Sequence, residues 1–167
     1  MNQAVTLAPA EAPLILRLLV GSVPLVLVGV AMLALRDAPA VGLLVGVLGL
    51  LLLGLFQLAP RRLAYTLTPD ALVVTRLLGR TVLPYAGMRA RRTAGHLGWR
   101  TLGTGLPGYL TGHFTFGPDF TNHVLAASSR PDGGVIVESG GRAYFLTPAD
   151  PEGLLRVLER RGVQVAL

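Results

Sequence analysis

Two uncharged apolar runs, Leu18–Leu35 and Ala38–Pro60, occupy most of the first sixty residues, and only Arg36 and Asp37 separate them. A hydrocarbon core about 30 Å thick takes about 20 residues of α-helix at about 1.5 Å rise each. Both runs meet that length, and so short a connection predicts a tight helical hairpin with both flanks on one side of a membrane. The segment before Leu18 holds only Glu11 and Arg17 as charged residues. It therefore lacks the positive n-region of a signal peptide, and the first run is longer than a signal-peptide core. Ala38-Pro39-Ala40 imitates a cleavage site only loosely, so the first helix is expected to be retained.

Orientation follows the arginine bias near the span ends. Arg36 is the only basic residue of the short loop, against Arg17, Arg61, Arg62, Arg76 and Arg80 on the other side. This predicts a multi-pass membrane protein with a short external loop and both termini cytoplasmic. The only clearly polar side chains within the spans are Ser22 and Gln57. An ion or proton path would need ionisable residues there, which argues against a transporter. Ala38, Gly42 and Gly46 recur every four residues and lay a small-residue stripe on the second helix. Such a stripe lets backbones approach closely, either within the hairpin or between copies in a homo-oligomer.

The stretch Arg61–Leu167 is long enough for one small domain with its own core. It carries 13 arginines against 7 acids, and the whole chain contains neither lysine nor cysteine. The absence of cysteine excludes disulfides and thiolate chemistry. The all-arginine set is read first as the mark of a GC-rich genome, with selection for the guanidinium fork as the alternative. A basic domain beside a membrane is attracted to anionic headgroups. Arg61 and Arg62 at the membrane exit, with Arg89, Arg91 and Arg92, are the candidates for that contact. In a strand Arg89 and Arg91 share a face and Arg92 points oppositely. No nucleic-acid-binding motif accompanies the charge, so nucleic acid is not an expected partner.

After Arg61 the apolar period changes from helical to two. Strands are expected at Leu63–Thr68, Ala71–Thr75, Thr81–Pro84, Met88–Thr93, Tyr109–Phe116, Asn122–Ala127, Val135–Glu138 and Arg142–Leu146. Short strands divided by Gly/Pro turns predict an antiparallel sandwich or open barrel of about seven strands. The period then returns to helical over about 148–161. Thr147 or Asp150 is available as N-cap, Pro148 or Pro151 as first residue, and Gly162 as the stop. Leu154, Leu155, Val157 and Leu158 form its buried face, and Glu152–Arg156 is an i,i+4 pair. The expected organisation is a tail over 1–13, a hairpin over 14–60 (helices about 14–35 and 38–60), and a domain over 61–167.

Two stretches of that domain carry a likeness. The first is Tyr65-Thr66-Leu67-Thr68-Pro69-Asp70-Ala71-Leu72-Val73-Val74, followed by Thr81-Val82-Leu83-Pro84-Tyr85. The second is Pro107-Gly108-Tyr109-Leu110-Thr111-Gly112-His113-Phe114, with Tyr144-Phe145-Leu146-Thr147-Pro148-Ala149-Asp150-Pro151 leading into the last helix. In their order and spacing they resemble the bacterial pleckstrin-homology (PH) domains found behind two membrane-spanning helices. The resemblance implies a PH-like fold, with no catalytic residues and no established ligand. Tyr85-Ala86-Gly87-Met88 departs from the family's usual acidic or polar residue followed by Ile, which bears on where the next strand starts.

Catalytic chemistry is poorly supported. Gly103-Thr104-Gly105-Leu106-Pro107-Gly108 matches G-x-G-x-x-G, but Pro107 interrupts it and no helix follows, so it reads as a flexible loop. His96, His113 and His123 lack metal-ligand spacing. Asp70, Asp119, Asp132 and Asp150 sit in turns, and Ser128 and Ser129 have no nucleophile-elbow context. No catalytic, cofactor-binding or metal residue is assigned, and no cofactor is expected. The first hairpin, Thr68-Pro69-Asp70, has no basic tip, which argues against specific phosphoinositide recognition. The leading expectation is a non-enzymatic, membrane-anchored PH-like scaffold that binds an unidentified protein partner through a groove or sheet edge. A structural homo-oligomer is the alternative. An enzyme or metal protein using His113 and His123 ranks below both.

Overall fold

The computed structural model describes residues 2–10 and 14–166, without the side chains of Leu16 and Arg17. Residues 11–13 of the expected tail and the side chain of Arg17 used in the orientation argument lie outside the described set. The chain divides into two compact units. One is the apolar hairpin. The other is a β domain built from the segment before the hairpin together with everything after it.

The hairpin consists of α1 (Leu14–Asp37) and α2 (Pro39–Arg62). Their candidate spans have mean hydropathies of 2.6 and 2.5, and both are long and apolar enough to cross a membrane. Large apolar side chains point outward all around the pair, among them Met32, Leu44 and Leu51. An apolar surface of this extent is stable in lipid and an aggregation liability in water. Ala38 lies between the helices, and its N–H donates to the Ala34 carbonyl at 2.8 Å. A Cβ at Gly42 would meet the Leu35 backbone N at 2.7 Å, and one at Gly46 would meet Ala31 Cβ at 3.3 Å. Gly42 and Gly46, with Gly49 a turn further on, are therefore points where α2 closes on α1 of the same chain.

The β domain begins with β1 (Gln3–Val5), inside the expected tail. It pairs antiparallel with β2 (Ala64–Leu67), with Gln3 opposite Leu67 and Val5 opposite Tyr65. Antiparallel β3 (Ala71–Thr75) and β4 (Arg80–Pro84) complete a four-stranded sheet in the order β1-β2-β3-β4. Alternation sends Tyr65, Leu67, Leu72, Val74 and Leu83 inward and leaves Val82 outside. Beyond β1 the same segment stays bound. The Ala8 N–H donates to the Thr147 carbonyl at 2.9 Å, and Ala149 N–H donates to the Thr6 carbonyl at 2.8 Å. Beneath it the Ser129 hydroxyl donates to the Ala8 carbonyl at 2.7 Å, and the Thr147 N–H donates to the Tyr65 hydroxyl at 3.1 Å. Tyr65 Oη in turn donates to the Ala127 carbonyl. Burial drives the Tyr65 phenol well above its ordinary value, outweighing the bonds from Thr147. In so dry a network the hydroxyl serves as a neutral donor and acceptor.

Seven strands form the second sheet: β5 (Arg89–Arg92), β6 (Leu97–Leu106), β7 (Tyr109–Phe116), β8 (Asn122–Ser128), β9 (Val135–Ser139), β10 (Arg142–Leu146) and β11 (Gln164–Ala166). Their spatial order is β11-β5-β9-β10-β8-β7-β6. The mainly-β, helix-closed class holds. The strands exceed about seven, and the pairs β10–β8 and β11–β5 are parallel. The turn at Tyr85–Met88, closed by Met88 N–H to the Tyr85 carbonyl at 3.0 Å, delays the start of β5 to Arg89.

The G-x-G-x-x-G stretch is a strand and a turn rather than a loop. It forms the second half of β6 and the Pro107–Gly108 turn into β7. Gly103 and Gly112 face each other across this ladder at φ +119° and +116°, and a side chain on either would collide with the opposite strand's backbone. Two backbones meet there more closely than any Cβ permits.

The last helix, α3 (Pro151–Arg160), is capped by Asp150, whose Oδ1 accepts from the Gly153 N–H at 2.8 Å. Pro151 opens it, and Gly162 at φ +82° turns the chain out of it. Thr147 is not the cap; it is consumed in the buried network. Leu154, Leu155 and Leu158 are buried as expected, while Val157 is only partly so. The Glu152–Arg156 pair does not form. Glu152 pairs with Arg92 of β5, and Arg156 lies 3.8 Å from Asp150. These ions are more than half exposed, so they contribute little to stability.

Candidate functional site

The arginine-rich β5 is set against β9 in antiparallel register, Arg89 opposite Glu138 and Arg91 opposite Ile136. The two-residue period of a strand therefore puts Arg89, Arg91, Ile136 and Glu138 on one face of the sheet. Ala90 and Val137 take the other face, toward the side on which α3 contacts β5. Arg92 also takes that side and is occupied by Glu152. On the first face β10 aligns Ala143 with Glu138 and Phe145 with Ile136. The apolar surface continues as a buried cluster of Leu97, Phe114, Phe116, Val124, Ala126, Ile136 and Phe145, in which the Phe116 and Phe145 rings are 5.5 Å apart.

Three open depressions of about 190, 310 and 360 Å³ adjoin along this face, and Glu138 lines all three. The first runs between β5, β9 and β11, with Arg89, Arg91 and Ile136. The second follows the β9–β10 turn past Gly140 and Arg142. The third reaches Phe116, Asn122 and His123 over Ile136 and Ala143. Together they make a groove with Ile136 and Ala143 on its floor and a cationic rim. Glu138 is its one acid, and Arg89 Nε donates to Gln164 Oε1 at 3.2 Å. Apolar side chains of an extended segment suit the floor, and carboxylates suit the guanidinium rim.

The five arginines named from the sequence fall in separate places. Arg62 precedes Ala64, which stands opposite Thr75, whereas Arg89 follows the Tyr85–Met88 turn at the other end of β2–β3–β4. Arg61 and Arg62 are exposed at the end of α2. Arg89 and Arg91 belong to the groove, and Arg92 to the α3 contact. The sequence reading missed Glu138, Ile136 and His123 as neighbours of Arg91. It also missed Arg161, whose Nη1 donates to the Thr68 carbonyl and, at 2.9 Å, to the Tyr85 hydroxyl. A guanidinium thus lies beside the Thr68-Pro69-Asp70 hairpin after all, already engaged by the protein. Burial raises the Tyr85 phenol, and the Arg161 charge works against that rise.

His96 packs edge-on to Phe120 at 5.0 Å, and His113 and His123 are exposed. Among the described residues no three His, Asp, Glu or Cys side chains gather where a metal ion could be held. Asp119 is held below its ordinary range by hydrogen bonds from Thr121, which makes it a turn residue.

A mainly-β domain closed by a C-terminal helix is the form of a PH domain. Residues 63–162 match the family described as Bacterial PH domain, and the chain belongs to that family. No curated protein and no solved structure matches the chain.

Proposed function

We propose that this chain is a non-enzymatic scaffold of a bacterial inner membrane that holds a PH domain at the cytoplasmic face and presents the β5–β9–β10 groove to a protein partner. PH domains are generally non-catalytic binding modules. The length and apolar surface of the hairpin support its reading as an anchor, and the pairing of β1 with β2 supports both of its flanks lying on one side of the bilayer. The observation that carries the binding role is the groove itself, three adjoining depressions with Ile136 and Ala143 on the floor, Arg89, Arg91 and Arg142 along the rim, and Glu138 as the one acid in their lining. An extended acidic-apolar segment of a partner fits it, in the manner of peptide recognition on a sheet.

A photo-crosslinking amino acid at Ala143, in the full chain expressed in its native membrane, tests this. The expected result is a discrete protein adduct that Arg89→Glu with Arg91→Glu reduces at least about tenfold, the loss expected when two charge-assisted contacts are reversed. Adducts to lipid or to the chain itself alone would overturn the binding role.

A further inference from the structure

We infer that the β3–β4 turn is a membrane-contacting foot, in which Leu78 enters the interface of an anionic bilayer and the surrounding arginines hold headgroup phosphates. This rests on the membrane-anchored reading above. Leu78 is 88% exposed, more than any other large apolar side chain among the described residues. It sits at the tip of a turn closed by the Arg76 N–H to the Gly79 carbonyl at 2.9 Å, with Gly79 at φ +91°.

The turn is held in place rather than free. Leu77 N–H donates to the Tyr109 hydroxyl at 2.9 Å, which brings the Pro107–Gly108 tip of the β6–β7 hairpin beside it. Arg76 Nη2 reaches Thr81 Oγ1 at 2.5 Å. An apolar side chain so exposed on a pinned turn has no partner within the domain.

Which surface it meets follows from register and charge. Ala64 stands opposite Thr75, and Thr75 opposite Arg80, so the turn lies at the end of the sheet where the chain enters from Arg62. Only Leu63 separates that arginine from β2. The stretches that build this end, 61–67, 73–82 and 102–111, contain Arg61, Arg62, Arg76 and Arg80 and no acid. Arg80 is exposed and has no ion-pair partner among the described residues. One apolar insertion ringed by guanidinium groups is complementary to an anionic lipid surface. The groove arginine Arg89 opens a strand of the other sheet, just past the Tyr85–Met88 turn at the opposite end of β2–β3–β4, so a foot at Leu78 turns the groove's Arg89 end away from lipid and toward soluble partners.

The chain has no cysteine, so single-cysteine labelling is unambiguous. The full chain carrying Leu78→Cys or Glu159→Cys, each labelled with an environment-sensitive fluorophore, is reconstituted into phosphatidylglycerol-containing vesicles with chain-brominated lipid as quencher. The expected result is a blue-shifted, lipid-quenched probe at residue 78 and an aqueous one at residue 159 on α3. Adding Arg80→Ala should cut the quenched fraction about fivefold, the factor that about 1 kcal/mol per surface charge gives. An aqueous probe at 78 in protein that floats with the vesicles would overturn the foot, as would equal shielding at 159. Failure to float would instead overturn the anchored reading on which the foot rests.

Discussion

Replacing Phe145 with alanine should destabilise the β domain by about 3–5 kcal/mol, the usual cost of emptying a fully buried aromatic site. Phe145 has no accessible surface and joins Phe116, Phe114 and Ile136 in the cluster beneath the groove. Its neighbours come from β6, β7, β8 and β9, strands fixed by their own ladders, so the space cannot close by a local shift. With domains typically stable by about 5–15 kcal/mol, a loss of this size approaches global unfolding. Hydrogen exchange of the β9 and β10 amides in the full chain reads it directly. Protection should fall by two to four orders of magnitude, at about 1.4 kcal/mol for each factor of ten. Exchange within tenfold of the parent would mean that the cluster is not the core of this sheet.

Gly112→Ala should be nearly as damaging, by about 3 kcal/mol or more, although it removes no contact. Gly112 is at φ +116°, outside the range an L side chain adopts without strain, and its Cβ would collide with the Leu102 carbonyl. Both strands would have to separate at the Gly103–Gly112 rung. Exchange should then rise along β6 and β7 while the four-stranded sheet stays protected. Gly140→Ala in the exposed β9–β10 turn, which meets no atom within 4 Å, is the comparison, and it should cost only the backbone strain of its φ of +57°. Equal effects at the two positions would show that the crossing of β6 and β7 does not depend on glycine.

These two positions also mark how far the sequence could be read. Phe145 lies in an alternating run, so its strand and its burial were legible. Gly112 lies in another legible strand, but its partner Gly103 sits in a segment that looked like a loop. Glycine conceals β6 because the alternation of Leu102, Thr104 and Leu106 is interrupted by residues that contribute closeness instead of apolar surface. The register shifts between Leu97 and Leu102 blur the period further, and the Thr115 hydroxyl takes up the Trp99 N–H there at 2.8 Å. β1 and β11 are three residues each and are defined by distant partners, Tyr65–Leu67 and Arg89–Arg91. No local period could have revealed them. The helix fared better, because capping by Asp150 and the Leu154/Leu155/Leu158 face are local properties.

The candidate site was half legible for the same reason. The common face of Arg89 and Arg91, and the opposite direction of Arg92, follow from a strand's period alone. That Glu138 and Ile136 stand opposite the two arginines depends on a pairing more than 40 residues away in sequence. Likewise the small-residue stripe was visible as a pattern. Only the packing of Gly42 against Leu35, and of Gly46 against Ala31, shows which surface it meets in this chain.

The central claim is that the segment before the hairpin and the domain after it form one body on the cytoplasmic side, with the two helices as its anchor. Single cysteines at Asn2 and Glu159 test it most directly in intact cells, with a membrane-impermeant maleimide applied before and after permeabilisation. Both positions are exposed, and the chain has no other cysteine to label. The account predicts no labelling at either position from outside and full labelling of both once the membrane is opened. Labelling of either one in intact cells would contradict it, and labelling of only one would also break the β1–β2 pairing on which the domain is built.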